Sequence, residues 1–250
     1  MTPKVSIVTP TYNSEKYIEE TIKSVLNQSY TNWEIIIIDD KSSDNTSEIV
    51  KAYQLKDTRI YFFQLQENSG SAIARNTGIE RATGDFLTFL DADDIWMPNF
   101  IEVSINVSTK KKCPFVFSSY KRFDENLNPL LKDFIVPDKV TYTDILKSNP
   151  ISCLTAFINI KQLGKKYMPN LRKRQDFGLW LQYLKDIDFA LGIKEPLAIY
   201  RIRKSSLSRN KRSLIKYQWL FYYKIEKLNF FYSVYYLVNW MVRGYFKYRS

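Results

Sequence analysis

The sequence predicts an α/β fold in which a mostly parallel sheet is flanked by helices. Two observations carry that expectation. Between Lys4 and Leu90, short apolar runs alternate with segments whose apolar residues recur at helical spacing. One of those runs, Trp33 to Ile38, is unbroken, as a strand covered on both faces must be.

Taken in order, Lys4 to Pro10 is β-branched and reads as a strand. Glu15 to Gln28 carries Tyr17, Ile18, Ile22, Val25 and Leu26 at helical spacing, with Asn13 or Ser14 as the expected cap. After the second strand, Asp39 and Asp40 end the apolar run. Ser43 to Tyr53 reads as a helix capped by Ser43 or Asp44. Ile60 to Leu65 is a third strand, Gly70 to Ala82 a helix and Asp85 to Leu90 a fourth strand. After Pro98 the pattern loosens. Asn99 to Thr109 reads as a helix, Phe115 to Phe117 as a short strand and Ser118 to Asp138 as a polar, irregular stretch. Thr143 to Lys147 is a short helix, Thr155 to Ile160 a strand and Gln175 to Lys185 a helix.

Composition removes several chemistries. The 250 residues are 45% hydrophobic, enough for a packed core. The chain has no histidine, which excludes Ser-His-Asp and Cys-His nucleophile systems and imidazole zinc sites. Two cysteines, Cys113 and Cys153, are too few for a disulfide framework and suit a reducing compartment. The start, Met1-Thr2-Pro3-Lys4, lacks signal-peptide architecture. The net charge of +11 sits entirely in residues 201–250, where 12 Lys and Arg face a single acid, Glu226. A neutral body with a basic tail suits an anionic surface, membrane or nucleic acid.

Ligands of such sheets bind beyond the carboxyl ends of the strands. Those ends carry Thr9-Pro10-Thr11-Tyr12, Asp39-Asp40 and Asp91-Ala92-Asp93-Asp94. A carboxylate after the second strand can accept hydrogen bonds from a base or ribose. The Asp91-x-Asp93 pair can hold a hard divalent cation and leave positions open for phosphate oxygens. Neither G-x-G-x-x-G nor G-x-x-x-x-G-K-[ST] is present, so the common dinucleotide and P-loop signatures are missing.

Four motifs in order resemble glycosyltransferase family 2: VSIVTPTYN (5–13), Q-S-Y-x-N-W-E-I-I-I-I-D-D-x-S-x-D (28–44), N-x-G-x-x-x-A-R-N-x-G (68–78) and GDFLTFLDADD (84–94). The resemblance covers about residues 3–98 strongly and continues more weakly to 212. It implies the GT-A fold and an inverting transfer of sugar from a nucleotide-diphosphate sugar, with a UDP-sugar expected. It implies that Thr9, Pro10 and Tyr12 line the base pocket, that Asp39 binds the base and that Arg75 faces the nucleotide. The alternative for Arg75 is a surface arginine paired with an acid such as Glu80. Asp91 would touch ribose or metal-bound water. Asp93, with Asp91, would hold Mn²⁺ or Mg²⁺. The family's general base matches Asp176 in Arg174-Gln175-Asp176, and in a chain without histidine a carboxylate is the natural choice there; the alternative is that Asp176 caps its helix. The basic neighbours Arg172, Lys173 and Arg174 could attract an anionic acceptor. Tyr200 to Lys211 resembles the segment that closes over the diphosphate. It lacks the histidine many relatives carry, and Arg203 or Lys204 could replace it as a clamp on phosphate.

The expected organisation is a GT-A domain over 1–212, with a nucleotide-binding half (1–98) and an acceptor-binding half (99–212), then a basic aromatic helical tail over 213–250. Residues 214–250 hold 14 aromatics, and 15 uncharged residues separate Lys227 from Arg243. That run is short for a membrane span. The tail reads as a helix lying in the membrane interface, or else as a layer packed on the catalytic domain or a second subunit. The expected partners are a nucleotide-sugar, a carbohydrate or lipid-linked acceptor and the inner face of the cell membrane. Two other readings stand beside the enzyme. One is a silent scaffold, against which Asp39, Asp91, Asp93 and Asp176 argue. The other is a single-strand nucleic-acid module, against which the uncharged body and its acidic sheet edge argue.

Overall fold

The computed structural model describes residues 2–171, 173–203 and 211–247, the side chains of 211–214 and 244–247 excepted. Its first half follows the expected alternation: β1 (Val5–Thr11), α1 (Ile18–Leu26), β2 (Trp33–Asp39), α2 (Thr46–Gln54), β3 (Ile60–Gln64), α3 (Ser71–Arg81) and β4 (Phe86–Phe89). β3, β2, β1 and β4 lie side by side in that order, all parallel. Every residue of β2 is buried, which explains its unbroken apolar run. α3 sits directly on β1 because residue 78 is glycine. A Cβ there would lie 2.4 Å from Val8 Cγ1.

The second half adds β5 (Ile95–Trp96), α4 (Phe100–Lys110), β6 (Phe115–Phe123), β7 (Pro129–Phe134), β8 (Lys139–Val140), α5 (Tyr142–Lys147), β9 (Phe157–Asn159), α6 (Ile160–Leu163), α7 (Gln175–Leu184) and β10 (Ala190–Arg201). The sheet continues from β4 through β9, β6 and β10 to β5. β9 is antiparallel to both β4 and β6, and β10 is parallel to β6. β4, β6 and β10 therefore run the same way as β1 and β2, and all five end on one edge. Successive residues of the parallel strands feed two cores. Val8, Ile36 and Phe89 face α7 with Trp180, while Ile7, Ile35 and Ile37 face α1 with Ile18 and Ile22.

The stretch expected to be irregular, Ser118 to Asp138, is largely strand. β6 continues to Phe123 and β7 pairs back on it. Ser118 and Ser119 are fully buried, and their hydroxyls bond the carbonyls of Ser119 (3.1 Å) and Ile193 (3.3 Å). Polar residues satisfied by backbone leave no apolar signature to read. β10 has no counterpart in the sequence reading. It carries Pro196 in its interior, and the ladder shifts register on both sides of that proline. The caps of α1 also differ. The Ser14 carbonyl, not a side chain of Asn13 or Ser14, receives the N–H groups of Tyr17 and Ile18 at 2.9 Å. Asp44 does receive Thr46 N at the start of α2, at 3.1 Å.

The tail comprises α8 (Lys211–Leu220), a π-helical turn (Phe221–Ile225) and α9 (Phe230–Lys247). Phe221 and Tyr222 are fully buried in the same cluster as Trp180, with the Phe221 and Phe177 rings 4.8 Å apart. Glu226 accepts from Tyr142 Oη at 2.7 Å and pairs with Lys185 at 2.7 Å. The first part of the tail is thus a packing layer. Among the described residues, no helix is long and apolar enough to cross a membrane.

Candidate active site

The shared strand edge gathers the polar groups. At the end of β1, Thr9 and Thr11 are buried, and their hydroxyls have no hydrogen-bond partner among the described residues. Pro10 is half-buried and Tyr12 is 50% exposed, leaving an aromatic face at the rim. Asn13 takes a left-handed turn (φ 47°) and ties the β1 loop to the β2 loop, accepting from Ser43 N at 2.8 Å.

Asp39 ends β2 beside Thr11 and is fully buried. Its carboxylate accepts from Ser47 Oγ (3.0 Å), Gln64 Nε2 (2.7 Å), Ser42 N and the Ser42 hydroxyl. Asp40 accepts from Ser69 N at 2.7 Å and Gly70 N at 2.8 Å. Gly70 opens α3 with φ 89°, a conformation that glycine allows. The two aspartates thus hold the loops on either side of the edge.

Arg75 of α3 is buried and bridges the two halves of the chain. Its Nη2 meets Asp91 Oδ1 just past β4 at 2.5 Å. With its amide oxygen turned toward the arginine, Gln175 accepts from Arg75 Nη1 at 3.1 Å and from Ser71 Oγ at 2.6 Å. Burial works against the charge of Arg75, but Asp91 chiefly, and Asp176 more weakly, hold it protonated above the ordinary arginine value. Arg75 is therefore not the surface arginine paired with Glu80 that the sequence left open.

Asp93 is paired through Oδ2 with Arg203 Nε at 2.6 Å. Burial and the Asp91 charge push its carboxyl above the usual range, against the pull of Arg203 and Arg201. Asp94 is pushed up further, by burial and then by Asp93 and Asp91, and accepts from Arg201 N at 2.9 Å. This is a cluster of mutually repelling carboxylates, the setting a divalent cation relieves. Among the described residues no group of three acids is arranged to enclose a metal ion. Asp93 and Asp91 could still hold a hard cation between two carboxylates, which would leave positions open for substrate phosphate.

Arg201, the last residue of β10, was not anticipated from the sequence. It is buried, and its Nε donates to Asp93 O at 2.8 Å, its Nη1 to Glu125 O at 2.9 Å, and its Nη2 to Glu20. Tyr17 lies beneath Arg201 and Arg203, 4.9 and 5.5 Å from their guanidinium carbons. A missed strand hid this residue; its run Tyr200-Arg201-Ile202-Arg203 was the available signal.

Asp176 lies in the first turn of α7, next to Gln175 and half-buried. Among the described residues, no hydrogen bond reaches its carboxylate, so it is not spent on capping its helix. Arg174 before it is left-handed, with φ 68°. Arg172, and Lys204 with the rest of 204–210, lie outside the described residues.

This architecture matches solved structures. S. aureus TarS 1–349 in complex with UDP-GlcNAc aligns with TM-score 0.73 at 20% identity, over 95% of this chain and 71% of that one. The mannosyltransferase PcManGT from Pyrobaculum calidifontis, in complex with GDP-Man and Mn²⁺, aligns with TM-score 0.62 at 17% identity, over 86% and 60%. The chain has the GT-A fold of these glycosyltransferases. Residues 6–164 match the model of Glycosyl transferase family 2. The chain is 43% identical over 228 residues to the putative teichuronic acid biosynthesis glycosyltransferase TuaG of Bacillus subtilis, covering 91% of this chain and 90% of TuaG. It is 38% identical over 246 residues to the Escherichia coli UDP-Glc:alpha-D-GlcNAc-diphosphoundecaprenol beta-1,3-glucosyltransferase WfgD, covering 96% and 93%. The chain belongs to glycosyl transferase family 2.

Proposed function

We propose that this enzyme transfers a sugar, with inversion, from a UDP-sugar to a hydroxyl of a lipid-linked precursor of a surface polysaccharide. The carrying observation is the Arg75 bridge, which joins Asp91 at the end of β4 to Gln175, the neighbour of Asp176. It sets the acidic strand edge against the start of α7, the two ends an in-line displacement needs. The substrate class is supported by the similarity to TuaG, a glycosyltransferase assigned to teichuronic acid biosynthesis, and to WfgD, which takes UDP-Glc and a diphosphoundecaprenol-linked GlcNAc.

Residues 1–98 hold the nucleotide in this reading, 99–212 the acceptor, and 213–250 the membrane surface at the inner face of the cell membrane. Tyr12 stacks on the base, while Thr9, Pro10 and Asp39 shape its pocket. Asp39 reaches the base once Ser42 turns away from it. Arg75 orients the nucleotide through Asp91. Asp93 and Asp91 would hold Mn²⁺ or Mg²⁺, whose charge offsets that developing on the leaving diphosphate. Arg203 moves from Asp93 to a phosphate oxygen. The acceptor hydroxyl attacks the anomeric carbon, its proton passes to Asp176, and the bond to the diphosphate breaks with its electron pair on oxygen.

The test offers the full chain a panel of UDP-sugars with Mn²⁺ and a polyprenyl-diphosphate-linked GlcNAc. Expected are acceptor-dependent UDP release and a product whose anomeric configuration, read by NMR, is opposite to the donor's. UDP binding without transfer across the panel would favour the silent scaffold, and retained configuration would overturn the inverting mechanism.

A further inference from the structure

The body-facing side of α9 is settled by its contacts. Ser233 is fully buried, Tyr236 and Leu237 pack on the core, and the Trp240 ring lies 5.0 Å from the Arg174 guanidinium carbon. The opposite side bears Phe231, Val234, Tyr235, Val238, Met241 and Val242, exposed by 37 to 82%. Their spacing places all six on one stripe. No charged residue lies between Lys227 and Arg243, both exposed. A helix that turns an apolar stripe outward, with exposed Lys227 in the turn before it and exposed Arg243 toward its far end, is built to be covered.

We propose that this stripe lies flat on an anionic lipid bilayer, with Lys227 and Arg243 at the level of the headgroup phosphates. The inference deepens the membrane contact proposed above by naming the face, the occupant and the orientation. Charge decides against a second copy of the chain. Residues 201–250 hold 12 basic residues and one acid, Glu226, whose side chain is 4% exposed and paired with Lys185. Two stripes laid antiparallel would set Lys227 against Arg243; laid parallel, they would set each against itself. Neither arrangement brings an acid into reach, whereas anionic headgroups meet both ends. Aromatic and aliphatic side chains suit the boundary beneath them, and 15 uncharged residues are too few to cross. The consequence reaches the site. Trp240 stacks on Arg174, two residues before Asp176, so the bilayer plane would run beside the start of α7, where a lipid-borne acceptor must arrive.

The experiment floats the full chain with vesicles of phosphatidylcholine alone, or mixed with phosphatidylglycerol, at low and high salt, without donor or acceptor. The wild type should float with the mixed vesicles, less so at high salt. Val234→Glu with Val238→Glu should reduce binding at least about ten-fold. Lys227→Gln with Arg243→Gln should reduce binding and remove most of its salt sensitivity. UDP titration and thermal melting of each variant check the fold, since these side chains are exposed. The inference fails if the wild type stays unbound to anionic vesicles while it melts cooperatively. It also fails if the double glutamate variant binds as well as wild type, or if sedimentation shows a wild-type dimer that this variant dissolves without any lipid binding. Flotation without sugar transfer would instead sink the proposed activity and leave this surface standing.

Discussion

Arg75 Nη2 lies 2.5 Å from Asp91 Oδ1, with the arginine side chain 9% exposed and the carboxylate 32% exposed. The pair is charged and mostly dry on one side and open to ligand on the other. Removing the arginine leaves Asp91 without its cation and the Gln175 amide oxygen with Ser71 Oγ alone as donor. Arg75→Ala should therefore cost on the order of 3 kcal/mol of stability, measured by urea unfolding. Arg75→Lys should recover part of the stability, but a single ammonium cannot span both partners as the guanidinium fork does. Its kcat/KM should stay at least about ten-fold low. Full activity in Arg75→Lys would show that the bridge to Gln175 does no positioning.

The acid–base assignment separates two aspartates. Asp176→Asn keeps shape but cannot take a proton, so transfer should fall by about 10²–10⁴-fold while UDP affinity stays near wild type. Asp93→Ala should abolish transfer and also remove the metal-dependent part of UDP binding. Titration calorimetry with UDP, with and without Mn²⁺, reads the difference. A large loss of UDP affinity in Asp176→Asn would sink its role as base.

Much of this site was legible because local pattern and edge chemistry coincide in the first half. β2 announces itself by burial on both faces, and the aspartates at its end and after β4 fall where parallel strands present ligands. Arg75 was legible only through the N-x-G-x-x-x-A-R-N-x-G motif, since nothing in helical periodicity says a lone arginine is buried. β10 was missed because its stabilisation is non-local. Its neighbour β6 lies more than seventy residues away, its interior contains Pro196, and its last residue, Arg201, is a charge made tolerable there by Glu20, the carbonyls of Asp93 and Glu125, and the Tyr17 ring.

Arg203 holds Asp93 at 2.6 Å, so in the proposed mechanism the phosphate clamp and the metal ligand would compete for one another. Arg203→Gln frees the carboxylate and removes a nearby positive charge. Mn²⁺ should then bind more tightly without nucleotide, by roughly three- to ten-fold, while UDP binds more weakly for want of a phosphate partner. Mn²⁺ titration followed by electron paramagnetic resonance checks the first half, and calorimetry the second. Unchanged metal affinity would mean that the pair does not compete with the cation.

Glu34 is a structural counterpart to the acids assigned to the proposed site. Its side chain is 4% exposed and meets Lys4 Nζ at 2.6 Å, Ser6 Oγ at 2.6 Å and Thr83 N at 2.7 Å. Burial works to raise its carboxyl, but Lys4, Ser6 and Thr83 together hold it below its ordinary value of 4.5. A carboxylate depressed on folding contributes stability that is fully present above its unfolded value and lost as pH falls through the folded one. Glu34→Gln should therefore be less stable than wild type by about 1–3 kcal/mol at neutral pH, with the gap narrowing below pH 4.5. Urea unfolding at several pH values measures it, and a gap independent of pH would show that packing, not charge, fixes this residue.

The tail divides at the level of single side chains. Phe221 and Tyr222 are fully buried, and Tyr222 Oη donates to the Leu146 carbonyl. Removing residues 214–250 would strip aromatic cover from Phe177 as well as the acid that Lys185 and Tyr142 use. Such a truncation should misfold rather than yield a released catalytic domain. Tyr222→Ala alone should cost about 3–5 kcal/mol, because it opens a cavity and orphans a buried carbonyl. Phe231→Ala, on the exposed stripe, should change stability by no more than about 0.5 kcal/mol. Urea unfolding of the two variants side by side decides the matter. Equal losses would mean that the outer face of α9 is packed after all, and a well-folded 1–213 fragment would mean that the core closes without the tail.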